Sequence, residues 1–103
     1  MALPSLTPEQ RQAALEKAAA ARAARAAMKV RLKSGSVKLS DLLDEAEADE
    51  ALAKMRVVSL LEAMPGVGRA TARQIIDQVG ISEARRVRGL GPNQRKALIE
   101  RFG

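Results

Sequence analysis

Arg85-Arg86-Val87-Arg88 runs directly into Gly89-Leu90-Gly91-Pro92, and earlier in the chain Pro65-Gly66-Val67-Gly68 runs directly into Arg69 and Arg73. Each stretch sets a glycine pair beside guanidinium groups, and that combination suits one chemistry, the holding of phosphate. Glycine permits positive φ and leaves no side chain between the backbone and a ligand. A helix opening behind Gly68 points its unpaired N–H groups and the positive end of its dipole toward whatever lies against the loop. Arg69 and Arg73, one helical turn apart, add mobile charge beside those fixed donors. The plain alternative for Pro65–Gly68 is a tight connection between packed helices, and for the arginines a solvated helix end. Like charge is rarely concentrated without an anionic partner. Phosphate contact by Pro65, Gly66, Val67, Gly68, Arg69, Arg73, Arg85, Arg86, Arg88, Gly89 and Gly91 is therefore the preferred reading.

Other chemistries are short of parts. The chain has no histidine and no cysteine, which removes the commonest general base, the commonest metal ligand, thiolate sites and disulfides. Asp44 and Glu47 stand at helical spacing, and with no histidine or glycine-bearing metal loop beside them they read as a wet surface. No catalytic residue, metal or cofactor is expected. Phe102 is the only aromatic residue, which argues against binding single strands through stacked bases. Lys plus Arg number 18 against 12 Asp plus Glu, a net charge of +6 and a pI near 10.5. Nucleic acid is the commonest partner for such a balance. No run approaches the roughly 20 apolar residues of a spanning helix, and Trp and Tyr anchors are missing, so no membrane partner is expected. The N-terminus lacks a signal-peptide pattern, which predicts a cytoplasmic protein.

The elements that must position these groups read as all-α. At 103 residues the chain holds one domain and some accessory length. Residues 1–37 carry seven basic and two acidic side chains, residues 38–64 three and seven, and residues 65–103 eight and three. Thr7-Pro8-Glu9-Gln10 opens a helix with a capping box and a proline in the first position. Strong helix formers then continue to about Lys33. This helix is too rich in alanine for a broad apolar face. At about 100° per residue, Arg11, Arg22, Arg25, Lys29 and Lys33 fall within an arc of about 80°. The spacing predicts a secondary DNA-binding stripe of Arg22, Arg25, Lys29 and Lys33, against the plain reading of a solvated face.

Ser34-Gly35-Ser36 acts as a joint, dividing the chain into residues 1–37 and residues 38–103. Ser40 is expected to cap a short acidic helix from Asp41 to about Glu47, and Asp49 the turn after it. Val57, Val58, Leu60, Leu61 and Met64 form an apolar helix leading into Pro65. Ala72, Ile75, Ile76 and Val79 line one face of the next, Arg69 to Val79, which Gly80 stops. Ser82 to Val87 reads as a turn or short helix. Pro92 opens the last helix, whose Leu98, Ile99 and Phe102 close the core.

Two features together reach a family. Val57 to Val79 reads as helix, Pro-Gly-Val-Gly, helix, which resembles the helix-hairpin-helix signature. With Arg85 to Pro92 and the closing helix, it resembles a helix-two-turns-helix domain, shared by a small-subunit ribosomal protein and formamidopyrimidine-DNA glycosylases. Closer still, Leu6 to Arg11, Ala14 to Ala18, Met64 to Gly68, Arg85 to Gly91 and Gln94 to Leu98 resemble the actinobacterial integration host factor family over essentially the whole chain. That family shares only a name with the two-stranded-arm integration host factor. The resemblance implies a cofactor-free, nucleoid-associated protein that binds duplex DNA with little sequence preference; from the residues themselves, the backbone is the expected contact, with room for one arginine in the minor groove. The resemblance also implies bending or compaction of that DNA, work beside a phage integrase, and a long N-terminal helix set against a helix-two-turns-helix body. A monomer free in solution is expected.

Nothing in the residues requires base readout, because N–H groups and arginines on phosphate carry no sequence information. A ribosomal RNA-binding module is the alternative, since it shares the hairpin, although the basic N-terminal helix is foreign to it. A glycosylase or lyase would need a terminal proline or a placed lysine as nucleophile, and Pro4 is not terminal. No enzyme is expected.

Overall fold

The computed structural model describes residues 5–103, so Pro4 lies outside the described residues. Helix α1, Pro8–Lys33, begins where Thr7 Oγ1 accepts from the Gln10 N–H at 3.1 Å and Gln10 Oε1 accepts from the Thr7 N–H at 3.0 Å. This reciprocal box satisfies donors that the helix itself leaves unpaired. Its other end is closed by Ser34 and Ser36, whose hydroxyls both donate to the Arg31 carbonyl, and by Gly35 at φ +79. Only Met28 and Leu32 of this 26-residue helix are buried. The alanine-rich remainder leans on the body through Ala20, Ala21 and Ala24, which line a groove against Asp49–Ala51.

Helix α2, Leu39–Ala46, starts two residues before the expected Asp41. Asp41 supplies the terminal bond in place of Ser40, its Oδ2 accepting from the Lys38 N–H at 3.0 Å. The Ser40 N–H donates instead to the Gly103 carbonyl at 3.1 Å. The earlier start puts Leu39, Leu42, Leu43 and Ala46 on one buried face, and burial of that face outweighs the local capping preference. Asp49 caps the single turn α3, Glu50–Ala53, through the Ala51 N–H. Next come α4, Val57–Glu62, and α5, Arg69–Val79, which Gly80 ends in the left-handed conformation at φ +84. A 3₁₀ turn, Val87–Gly89, and α6, Pro92–Phe102, complete the chain.

Ser82 to Arg85 form a turn, as expected, with the Arg85 N–H donating to the Ser82 carbonyl at 3.1 Å, and the chain runs extended only at Arg86 before the 3₁₀ turn. Arg86 pairs antiparallel with Arg56, the Val57 N–H donates to the Arg85 carbonyl at 3.0 Å, and the Val87 N–H donates to the Met55 carbonyl at 2.9 Å. This isolated bridge stands in for a strand, of which there is none among the described residues. The core gathers Leu32 from α1, Leu42 and Leu43 from α2, Leu60 and Leu61 from α4, Ile75 and Ile76 from α5, and Leu98 from α6. Each such side chain contributes about 1.5–3 kcal/mol by leaving water. Val79, Ile99 and Phe102 are only partly buried at its edge. No described helix is long and apolar enough to cross a membrane.

Candidate nucleic-acid interface

The first hairpin is hooked from the inside. Met64 and Val67 are both buried, and the Val67 N–H donates to the Met64 carbonyl at 3.2 Å. Val67 thus offers its side chain to the core and holds Pro65 and Gly66 outward. Only Gly66 uses the left-handed region, at φ +75. Gly68 is extended, at φ −93 and ψ −177, and serves as the N-cap of α5. A Cβ at Gly68 would meet no protein atom within 4 Å, so the space before it is open to a ligand. No side chain caps α5. Gly68, Arg69, Ala70 and Thr71 are all exposed, so the first N–H groups of this helix face solvent. Arg73 is held by Glu83 at 2.9 Å, whereas Arg69 forms no ion pair among the described residues.

The second glycine turn is braced internally. Arg85 donates from one guanidinium nitrogen to the Gly89 carbonyl at 2.8 Å and to Gln94 Oε1 at 3.0 Å. Gln94 Oε1 also accepts from the Gly91 N–H at 3.0 Å, and its amide nitrogen donates to the Gly80 carbonyl at 2.9 Å. One glutamine therefore ties the end of α5, the Gly89–Gly91 turn and the start of α6 together. A Cβ on Gly89 would come within 3.0 Å of Arg85 Cδ. Glycine at 89 makes room for the brace, and Arg85 acts within the fold as well as at its surface. Arg86 is exposed but anchored by a 3.0 Å bond to the Lys54 carbonyl. Arg88 is exposed on the other side of the turn, beside Glu47 and Arg95. Arg95 in turn holds Asp44 and Glu47 at 3.3 and 3.4 Å, which makes those carboxylates partners of a guanidinium.

The bridge between Arg56 and Arg86 has a consequence for charge. It brings Arg86 beside Lys54 and Arg56, opposite Arg25 and Lys29 of α1. These five cations and Ser59 line an open cleft of about 380 Å³ with no carboxylate in its wall. A second hollow, about 370 Å³, shares Lys29 and Ser59 and continues past Lys33 to Ala63, just ahead of the hairpin. Arg22 is exposed on α1 outside both hollows, and neither Arg69 nor Arg73 lines them. Lys54 and Arg56 are not among the residues expected from sequence. They are hidden in the chain's acidic block, and only the pairing of residue 56 with residue 86 reveals them. Lys54 also bonds Glu50 at 2.8 Å. That hydrogen bond and charge, with Lys17 and Arg88 acting from farther off, hold the Glu50 carboxyl below its ordinary range.

Residues 32–102 match the S13-like H2TH domain family. Over 103 residues the chain is 59% identical to the integration host factor of Mycobacterium tuberculosis (strain H37Rv), covering all of this chain and 98% of that one. The chain belongs to the actinobacterial integration host factor family. The relative from Mycolicibacterium smegmatis is 59% identical over 102 residues, covering 99% of this chain and 97% of its own. That from Streptomyces coelicolor is 54% identical over 103 residues, covering 100% and 96%. A solved structure described as sIHF bound to an 8 bp palindromic DNA superposes with a TM-score of 0.83 at 49% identity, covering 85% of this chain and 99% of that one. As a member of this host-factor family the protein is not an enzyme.

Proposed function

We propose that this protein binds double-stranded DNA in the nucleoid through its phosphates, with little sequence preference, and bends or compacts it. The observation that carries the reading is the hairpin. An uncapped helix start, open space before Gly68 and unpaired Arg69 stand together on one exposed surface. Fixed N–H donors of this kind favour an anion at the helix end. The DNA in the similar solved complex supports duplex as the anion. In this reading Pro65, Gly66, Gly68 and Arg69 hold one run of backbone phosphates. Arg86 and Arg88 extend that surface, Val67 fixes the loop from within, and Arg73 joins once Glu83 releases it. Arg85 keeps the Gly89–Gly91 turn in shape for contact. Residues 1–37 act as a basic arm, with Arg22, Arg25, Lys29 and Lys33 on a second run, and residues 38–103 act as the gripping body. An arginine entering the minor groove favours narrow A·T-rich DNA by shape alone. The protein is monomeric when free and serves phage site-specific recombination by shaping DNA for the integrase.

The test is binding to duplexes of unrelated sequence over a salt series, beside a structured RNA of equal length. A steep and uniform loss of duplex affinity with salt, with duplex preferred over RNA, is expected. Preference for the RNA would transfer the protein to the ribosomal-type reading.

A further inference from the structure

The cleft between α1 and the body is unlike the rest of the basic surface. It is concave, its cations come from three separate segments, and two of them are aimed by bonds within the fold. The Arg86 guanidinium is anchored on the Lys54 carbonyl and the Lys54 ammonium on Glu50. No carboxylate lines the wall, so Arg25, Lys29, Lys54, Arg56 and Arg86 face a shared space whose only other polar side chain is Ser59. Four of them, Arg25, Lys29, Arg56 and Arg86, carry no ion pair among the described residues, and these like charges repel each other and focus the potential inside the hollow. Its volume, about 380 Å³, falls in the range of small-ligand sites, roughly 300–1,000 Å³. A duplex is a convex rod that presents the phosphates of one strand edge to such a hollow. A linear polyphosphate is narrow enough to enter and places several charges within reach of these four cations.

From this we infer that the cleft is a binding site for a short polyphosphate chain, carried by a nucleoside triphosphate or free as inorganic polyphosphate. Arg25, Arg56 and Arg86 supply planar forks to phosphate oxygens, Lys29 supplies a point charge, Lys54 anchors Arg86 through its carbonyl, and the Ser59 hydroxyl supplies a neutral donor. The site goes beyond duplex binding and does not depend on it.

The experiment is a titration of the full, DNA-free chain with sodium tripolyphosphate in magnesium-free buffer, followed by calorimetry and by backbone amide shifts. ATP and AMP form parallel arms. One saturable site is expected, with shifts concentrated at residues 25–29, 54–59 and 86. ATP binding more tightly than tripolyphosphate identifies a nucleotide as the source, and the reverse order identifies free polyphosphate; AMP binds far more weakly than either. The pair Lys29→Gln and Arg56→Gln, both exposed in the fold, weakens tripolyphosphate by about tenfold or more through lost charge-assisted bonds. The pair Lys38→Gln and Lys96→Gln, both exposed and outside the cleft and the hairpin, removes the same charge and leaves the affinity within about twofold, as screened distant charges should. Binding that never saturates, equal losses from the two pairs, or shifts confined to residues 66–71 would each overturn the inference. The shift map reads the parent protein and needs no substitution to fold.

Discussion

Gly66 and Gly68 stand two residues apart and do different work. Gly66 needs the left-handed region, so Gly66→Ala should destabilise the fold by about 1 kcal/mol or more, seen as a lowered melting temperature. Gly68 is extended, and an added methyl meets only open space. Gly68→Ala should therefore cost only the loss of a good N-cap residue, about 0.5–1 kcal/mol, while reducing duplex affinity, because the methyl sits where a phosphate would approach. Equal affinity for the parent and Gly68→Ala duplex complexes would remove the hairpin from the interface. Glu83 offers the converse experiment. It occupies the guanidinium of Arg73 at the surface, and an exposed pair of this kind stabilises a fold by little, about 0–1 kcal/mol. Glu83→Gln should leave stability within that range, raise duplex affinity at low salt, and steepen the salt dependence by about one phosphate contact. A salt slope identical to the parent's would show that Arg73 stays off the DNA.

Among the elements, the corner around Gln94 joins the end of α5, the Gly89–Gly91 turn and the start of α6. Gln94→Ala strips an acceptor from both Arg85 and the Gly91 N–H and a donor from the Gly80 carbonyl. A loss of about 1–2 kcal/mol in denaturant unfolding is expected, since Arg85 and Gly91 are half-buried while the exposed Gly80 carbonyl turns to water. Local capping made much of this architecture legible in advance. Thr7 with Gln10, Gly80 after Val79, and Pro92 behind Gly91 each mark an end by chemistry within a few residues. The start of α2 was not legible, because Ser40 and Asp41 are both good caps and the choice was made by burying Leu39. The hairpin was legible for the same local reason as the caps. The cleft was not, since it depends on residue 86 meeting residues 54–56 and on α1 lying opposite, relations that no periodicity records.

At the scale of the whole molecule, α1 both anchors and projects. Its last turns place Met28 and Leu32 in the core, so Leu32→Ala should cost about 2–5 kcal/mol as a buried truncation. Deleting the arm would therefore confuse lost contacts with lost folding, and neutralising its charge is the cleaner experiment. The molecule measures 47 × 33 × 25 Å, longer than one duplex turn of about 34 Å. Cations spread along that length can thus reach phosphates on separate parts of one turn. Bending a short site by 40–90° costs of order 1–6 kcal/mol, which a second set of contacts offsets. Replacing Arg22, Arg25, Lys29 and Lys33 together by Gln should flatten the salt dependence by about 3–4 in logarithmic slope, at about 0.9 per released phosphate contact. Arg25 is half-buried and the other three are exposed, so the helix should persist by circular dichroism. At low salt the variant should still bind through the hairpin, while end-to-end energy transfer on a saturated labelled duplex falls toward that of free DNA. Retained bending with an unchanged slope would place α1 off the duplex and leave the body alone to deform it.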